Sequence, residues 1–179
     1  EFVQGHANLY GGEIMIDIHP HPLDRLHFEN SFSLVRGELL HRPDGAKFLP
    51  FMPAPKFTSE LRANFKKVGR HLRNAYIGVN AAHHFAQTRI LSAYGTETPT
   101  PAYTLLNAGL GAEVTGSTGN TWFTISISAG NLTDEVYQSH LSRLKYAPSN
   151  PATGKRGIYN MGRNISVKVV VPLTFRKPE

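Results

Sequence analysis

The run NISVKVVVPLTF, Asn164 to Phe175, decides the fold class. Ile165, Val167, Val169, Val171, Leu173 and Phe175 fall on alternate positions and share one face, while Asn164, Ser166, Lys168 and Thr174 share the other. A period of two kept over so many apolar positions is a strand with one greasy face and one wet face. The same division recurs upstream. Phe123, Ile125, Ile127 and Ala129 oppose Trp122, Thr124, Ser126 and Ser128, and Leu106, Ala108, Leu110, Ala112 and Val114 oppose Asn107, Gly109, Gly111 and Glu113. Ile77, Val79, Ala81 and Phe85 oppose Tyr76, Asn80 and His84, and Phe57, Leu61, Ala63 and Phe65 oppose Lys56, Thr58, Glu60, Arg62, Asn64 and Lys66. Leu26, Phe28, Phe32 and Leu34 oppose His27, Glu29, Ser31 and Ser33, and Ile14, Ile16 and Ile18 oppose Glu13, Met15, Asp17 and His19. The pattern predicts an all-β chain of about seven long strands, with Glu135 to Leu144 as the best helical candidate.

The connections alternate in length. Short turns are expected at HPHPLDR (His19 to Arg25), GRHLRN (Gly69 to Asn74) and GSTGN (Gly116 to Asn120). Long loops are expected at about Leu40 to Pro55, Arg89 to Pro101 and Asn131 to Gly162. In an antiparallel up-and-down meander, alternate connections lie on the same side, so this order gathers the short turns at one rim and the long loops at the other. Strands of this length with unlike rims suit a transmembrane barrel better than a β-sandwich, whose strands average about five or six residues. Glu29, Lys56, Glu60, Arg62, Lys66, Glu113 and Lys168 all fall opposite the apolar stripes, as the wall of a wet lumen requires.

Composition narrows the remaining classes. The 179 residues hold 19 Lys+Arg against 13 Asp+Glu and no Cys, so disulfides, thiolate metal sites and Cys nucleophiles are excluded. No apolar run approaches the roughly 18–20 residues of a membrane-spanning helix, and the opening EFVQGHANLYGGE lacks a signal-peptide pattern. The positive charge is scattered over both rims, which argues against a nucleic-acid partner. Of the nine histidines, adjacent His83 and His84 point to opposite faces of a strand and cannot share an ion. His19 and His21 flank Pro20 in a polar turn. No nucleophile, base and acid spacing stands out, and the chain reads as a non-enzyme without cofactor or metal. The loops gather His41, Arg42, His140, Arg143, Lys145, Arg156 and Tyr159, a basic and aromatic set suited to an anionic ligand or to lipopolysaccharide.

Two segments carry a family resemblance. Asn131-Leu132-Thr133-Asp134-Glu135-Val136-Tyr137, followed by Gly162-Arg163-Asn164-Ile165 and a strand reaching Phe175, resembles the C-terminal end of TonB-dependent outer-membrane receptors. Leu9 to Glu38 resembles that family's strand-turn-strand unit, and Leu49 to Arg62 its proline-marked re-entry into a strand. Thr133 stands where an aromatic residue is commoner, and Arg176 to Glu179 extend past the terminal Phe. The resemblance, to receptors of a Bacteroidetes-like iron-uptake type, implies a barrel of about 22 strands around a plug. Residues 1–179 would be a partial barrel domain, the C-terminal third of that barrel. It would import a siderophore or haem across a Gram-negative outer membrane, with Phe175 as the barrel-assembly signal. The implied partners are outer-membrane lipid and lipopolysaccharide, the plug and remaining strands, the TonB protein and a small-molecule ligand. A small closed outer-membrane barrel and a soluble β-sandwich binding module are the alternatives.

Overall fold

The structure, a computed structural model, describes residues 5–41, 45–95, 97–117 and 119–173. Its strands are β1 (Ala7–Ile18), β2 (Leu26–Leu39), β3 (Lys56–Val68), β4 (Leu72–His84), β5 (Tyr103–Thr115), β6 (Thr121–Gly130) and β7 (Asn164–Val170). Each pairs antiparallel with the next, giving one sheet in the order β1-β2-β3-β4-β5-β6-β7. The short turns close tightly. Leu26 N donates to Leu23 O in the first, Gly69 takes a left-handed φ of 63° in the second, and Gly116 N donates to Asn120 O in the third. The three long connections gather at the opposite rim, as the alternation predicts.

Register turns seven amphipathic strands into one two-faced wall. Ile18, Phe28, Leu61, Val79, Ala108, Ala129 and Ile165 lie side by side across all seven strands. A second row runs Leu26, Ala63, Ile77, Leu110, Ile127 and Val167. On the reverse face Asp17, Glu29, Glu60, Asn80 and Asn107 form one row, and Glu13, Ser33, Lys56, His84 and Tyr103 another. Asn30 and Ser59, paired with each other, are polar exceptions on the apolar face. Phe32 and Phe85 meet edge to face on that face near the long-loop rim, their centroids 6.1 Å apart, whereas Phe28, Phe65 and Phe123 lie towards the short-turn rim.

Among the described residues, no second layer covers the apolar face. Ile77 is 53% exposed, Val79 52% and Ile165 70%, while the buried apolar residues among those described are Ala46, Ala82, Ala93 and Tyr103. An uncovered stripe of this width is what a lipid environment would bury. Strands of up to 14 residues, at about 3.3 Å per residue and a tilt near 45°, span roughly the hydrocarbon thickness.

Two expectations are corrected. Glu135 to Leu144 forms no α-helix; the helical segments among the described residues are the short 3-10 turns Ala93–Gly95 and Arg143–Tyr146. The left-handed backbone of Asn131 and Asp134 starts a loop whose polar groups bond to other loops rather than along a helix. The last strand ends at Val170, shorter than its alternation predicts; two residues on, Pro172 has no N–H to give a ladder. Phe175 lies outside the described residues.

Detergent dependence follows from the uncovered face. The folded chain is expected to be monodisperse in detergent micelles and to aggregate when detergent is removed, as read by size-exclusion chromatography. A stable monomer in plain buffer would mean that something covers this face.

Candidate functional site

The long-loop rim is organised by a buried carboxylate. Glu97, 4% exposed, accepts the Phe51 N–H on Oε1 at 2.9 Å and the Leu91 N–H on Oε2 at 2.7 Å. His140 Nε2 lies 2.9 Å from Oε1, His140 Nδ1 lies 2.8 Å from Thr100 Oγ1, and Lys145 Nζ donates to Thr100 Oγ1 and to Thr98 O, each at 2.8 Å. Because the ammonium can only donate and the carboxylate only accept, the chain has one direction. Lys145 donates to Thr100, Thr100 to His140 Nδ1, and the Nε2–H of a neutral His140 to Glu97. Burial, and then the positive Lys145, push the His140 imidazole below its ordinary 6.5, against the pull of Glu97. Gln87 fastens the same loops by donating to Met52 O and Pro53 O, both at 3.0 Å. Phe51, held at φ 55°, belongs to the β2–β3 loop, Glu97 to the β4–β5 loop and His140 to the β6–β7 loop. All three loops therefore meet at one carboxylate.

The motif after β6 makes a second fastening. Asn131, at φ 50° and 4% exposed, donates from Nδ2 to Glu135 O at 2.9 Å and accepts the Glu135 N–H on Oδ1 at 2.8 Å. Its own N–H donates to Asn107 Oδ1 at 3.0 Å. Asp134 Oδ1 then accepts the Arg163 N–H at 2.8 Å, and a Cβ on Gly162 would stand 2.7 Å from that same oxygen. The start of the longest loop is thus clasped to the strand that follows it. Tyr137 stacks on Tyr103, and Tyr103 on His84, each pair with centroids 4.5 Å apart. Beneath the loops, a cleft of about 170 Å³ on the polar face is lined by Lys56, His84, Tyr103, Ser139 and His140, among others.

The predicted loop residues separate into two groups. His140 and Lys145 are buried, at 3% and 6% exposure, and both are bonded into the loop framework. Arg143, Arg156, Tyr159 and His41 are exposed. Arg143 sits over the Phe51 ring at 5.4 Å and Lys155 over Tyr159 at 5.3 Å. Arg42 lies outside the described residues. The roles of Thr100 and Gln87 leave no mark in the sequence, because polar loop residues look alike until their partners are known.

At the short-turn rim, His19 and His21, which flank Pro20, take separate partners. His19 Nε2 lies 2.8 Å from Asp17 Oδ2, and His21 Nδ1 lies 3.2 Å from Asp24 Oδ1. His19 instead faces His27, edge to face with centroids 4.5 Å apart. Asp17, His19 and His27 bring three metal-capable donor atoms within 4.8 Å of one another.

No model of a known protein family matches the sequence. No curated protein matches it either. Among solved structures, the fold is similar to that of "Copper transporter OprC", with a TM-score of 0.70 and 18% identity, over 92% of this chain and 23% of that one. The chain therefore spans about a quarter of that transporter's length. At this identity the likeness is one of fold: seven antiparallel up-and-down strands in one sheet.

The His140 chain predicts a pH response. A histidine held below its ordinary value contributes fully above about pH 6.5, and that contribution is lost as pH falls, because the unfolded loop takes up the proton first. Hydrogen exchange at Thr98, Thr100 and Ser142, corrected for intrinsic rate, is expected to show easier opening at pH 5 than at pH 7.5. The difference should shrink in His140→Gln. Equal opening at both pH values would contradict the neutral imidazole. Asn131→Ala, which removes the side chain's three bonds to backbone groups at a left-handed position, is expected to lower stability in detergent by about 2 kcal/mol. Asp134→Ala should cost about 1 kcal/mol, both read from urea midpoints.

Proposed function

We propose that this chain is part of the barrel wall of a TonB-dependent receptor that imports a scarce nutrient across a Gram-negative outer membrane. The observation that carries the reading is the two-faced, single-layer sheet. Its uncovered apolar rows cross the sheet in register, one through all seven strands and one through six, and its polar face carries Glu29, Glu60, Arg62 and Lys168. The fold likeness to part of a copper transporter supports it. In this reading the apolar face meets lipid, the short turns lie in the periplasm, and the long loops face outward towards lipopolysaccharide and ligand. The outer edges of β1 and β7 pair with further strands of the same protein, since an open hydrophobic edge invites pairing. The polar face meets a plug, and the TonB protein engages a segment outside this chain. Transport rather than catalysis is the role.

The ligand we favour is an anionic iron chelate, a siderophore or haem, met by His41, Arg42, Arg143, Arg156 and Tyr159 through charge-assisted hydrogen bonds and stacking. His140 and Lys145 contribute by holding the loop that presents Arg143. The name of the structural neighbour favours a second cargo, copper.

Two measurements test the reading. An antiserum against the chain should detect a band on the order of 75 kDa in outer-membrane fractions, the size of about 22 strands plus a plug. A band near 20 kDa would favour a small closed barrel instead. Deleting the gene should lower cell-associated iron under iron limitation, measured by elemental mass spectrometry. A fall in copper with iron unchanged would move the cargo to copper, and no change in either would remove metal import.

A further inference from the structure

Nine histidines are spread over the chain, and the fold occupies several of them. His71 Nδ1 lies 3.0 Å from Thr115 O, His83 Nδ1 lies 2.8 Å from Thr104 Oγ1, and His140 is enclosed in its buried chain. The β1–β2 turn does something different. Asp17 near the end of β1 and His19 one residue past it are two residues apart and therefore fall on the same, polar side of the hairpin. Continuing the β1–β2 register by one residue beyond Ile18 and Phe28 sets His19 opposite His27. A carboxylate and two imidazoles thus converge on one side of one hairpin, their donor atoms all within 4.8 Å of each other.

We propose that Asp17, His19 and His27 bind a divalent first-row transition ion at the short-turn rim, with water completing its coordination. Bonds of about 2.1 Å at tetrahedral angles place donors roughly 3.4 Å apart. The present separations are compatible with that value: the Asp17–His19 contact of 2.8 Å has to open slightly, and no two of the donors stand more than 4.8 Å apart. These changes are within side-chain rotation, because the three residues are partly or fully exposed. Two imidazoles and one carboxylate, with no thiolate, select Cu²⁺, Zn²⁺ or Ni²⁺ over Ca²⁺ or Mg²⁺, and Cu²⁺ binds most tightly of these.

The surrounding charge is a second and independent indication. Asp17 lies directly across from Glu29, and Glu29 directly across from Glu60. Among the described residues, none of these three carboxylates forms an ion pair with a Lys or Arg. Like charges facing one another across strands repel, and a divalent ion at the end of the row relieves that repulsion. Arg62, across from His27, is the nearest competing cation by register. It is drawn to the β4 side, its Nε donating to Asn64 Oδ1 at 3.0 Å and its guanidinium stacked 4.2 Å from the Tyr76 ring centre. The ion takes the place of the direct His19–Asp17 hydrogen bond, each imidazole keeping its one proton on the nitrogen that does not face the ion, and because protons compete for the ligating atoms binding weakens in acid.

The site stands apart from the loop-borne ligand reading and needs neither iron nor a chelate. The test uses the full chain in detergent micelles with histidine side chains isotopically labelled. Sub-stoichiometric CuCl₂ is expected to broaden the His19 and His27 resonances before those of His6, His21 and His41, a readout that requires no variant. Calorimetric titration with ZnCl₂ should then show affinity reduced on the order of tenfold or more in His27→Gln and in Asp17→Asn, and unchanged in His21→Gln. Simultaneous broadening of all exposed histidines, or equal Zn²⁺ affinity in His27→Gln and the parent, would overturn the proposal.

Discussion

Antiparallel register is the constraint on which everything else depends. Phe28 lies beside Leu61, Leu61 beside Val79, Val79 beside Ala108 and Ala129 beside Ile165, so seven separate stripes become one apolar surface. A slip of one residue in any ladder would carry that strand's charges onto the apolar side, Glu60 and Arg62 in β3 for example. The ladder is also the sheet's main internal cohesion, since among the described residues the buried apolar ones are three alanines and a tyrosine. A structure so poor in core depends on an apolar surrounding for the stability that other folds draw from packing.

The two rims are built by different means. Tight turns suffice at one, where glycine at φ 63° or a single backbone bond reverses the chain. At the other rim, loops with little secondary structure need another source of order, and a buried polar chain supplies it. Glu97 and Lys145 are opposite charges separated by Thr100 and His140, with the carboxylate also satisfied by two backbone N–H groups. Such a network is stable only when every member is satisfied. These bonds explain why His140 and Lys145 face inward while Arg143, between them in sequence, stays exposed.

The motif resemblance gains a physical basis in the contact between Asp134 and Arg163. Residues far apart in sequence, NLTD at the start of the longest loop and GRN at its end, meet through one hydrogen bond and one glycine without a Cβ. The pattern therefore encodes a loop closure, and its residue types follow from that task. Asn131 tolerates a left-handed backbone and bonds both ways to Glu135, Asp134 accepts the N–H of Arg163, and Gly162 leaves room.

By itself the sequence determined the strands, their faces and the alternation of turn lengths, because a period of two and glycine-marked turns are local properties of the chain. The extent of the last strand and the failure of a helix at Glu135 were not legible, since each is decided by a partner elsewhere: the end of a ladder in one case, the Asn131 and Asp134 turn in the other. Only the tertiary structure decided which loop residues are free. Whether His140 meets solvent or Glu97, and whether His19 turns to His21 or to His27, depends on which strand or loop lies opposite. Pairing between segments distant in the chain sets that, and no local spacing records it.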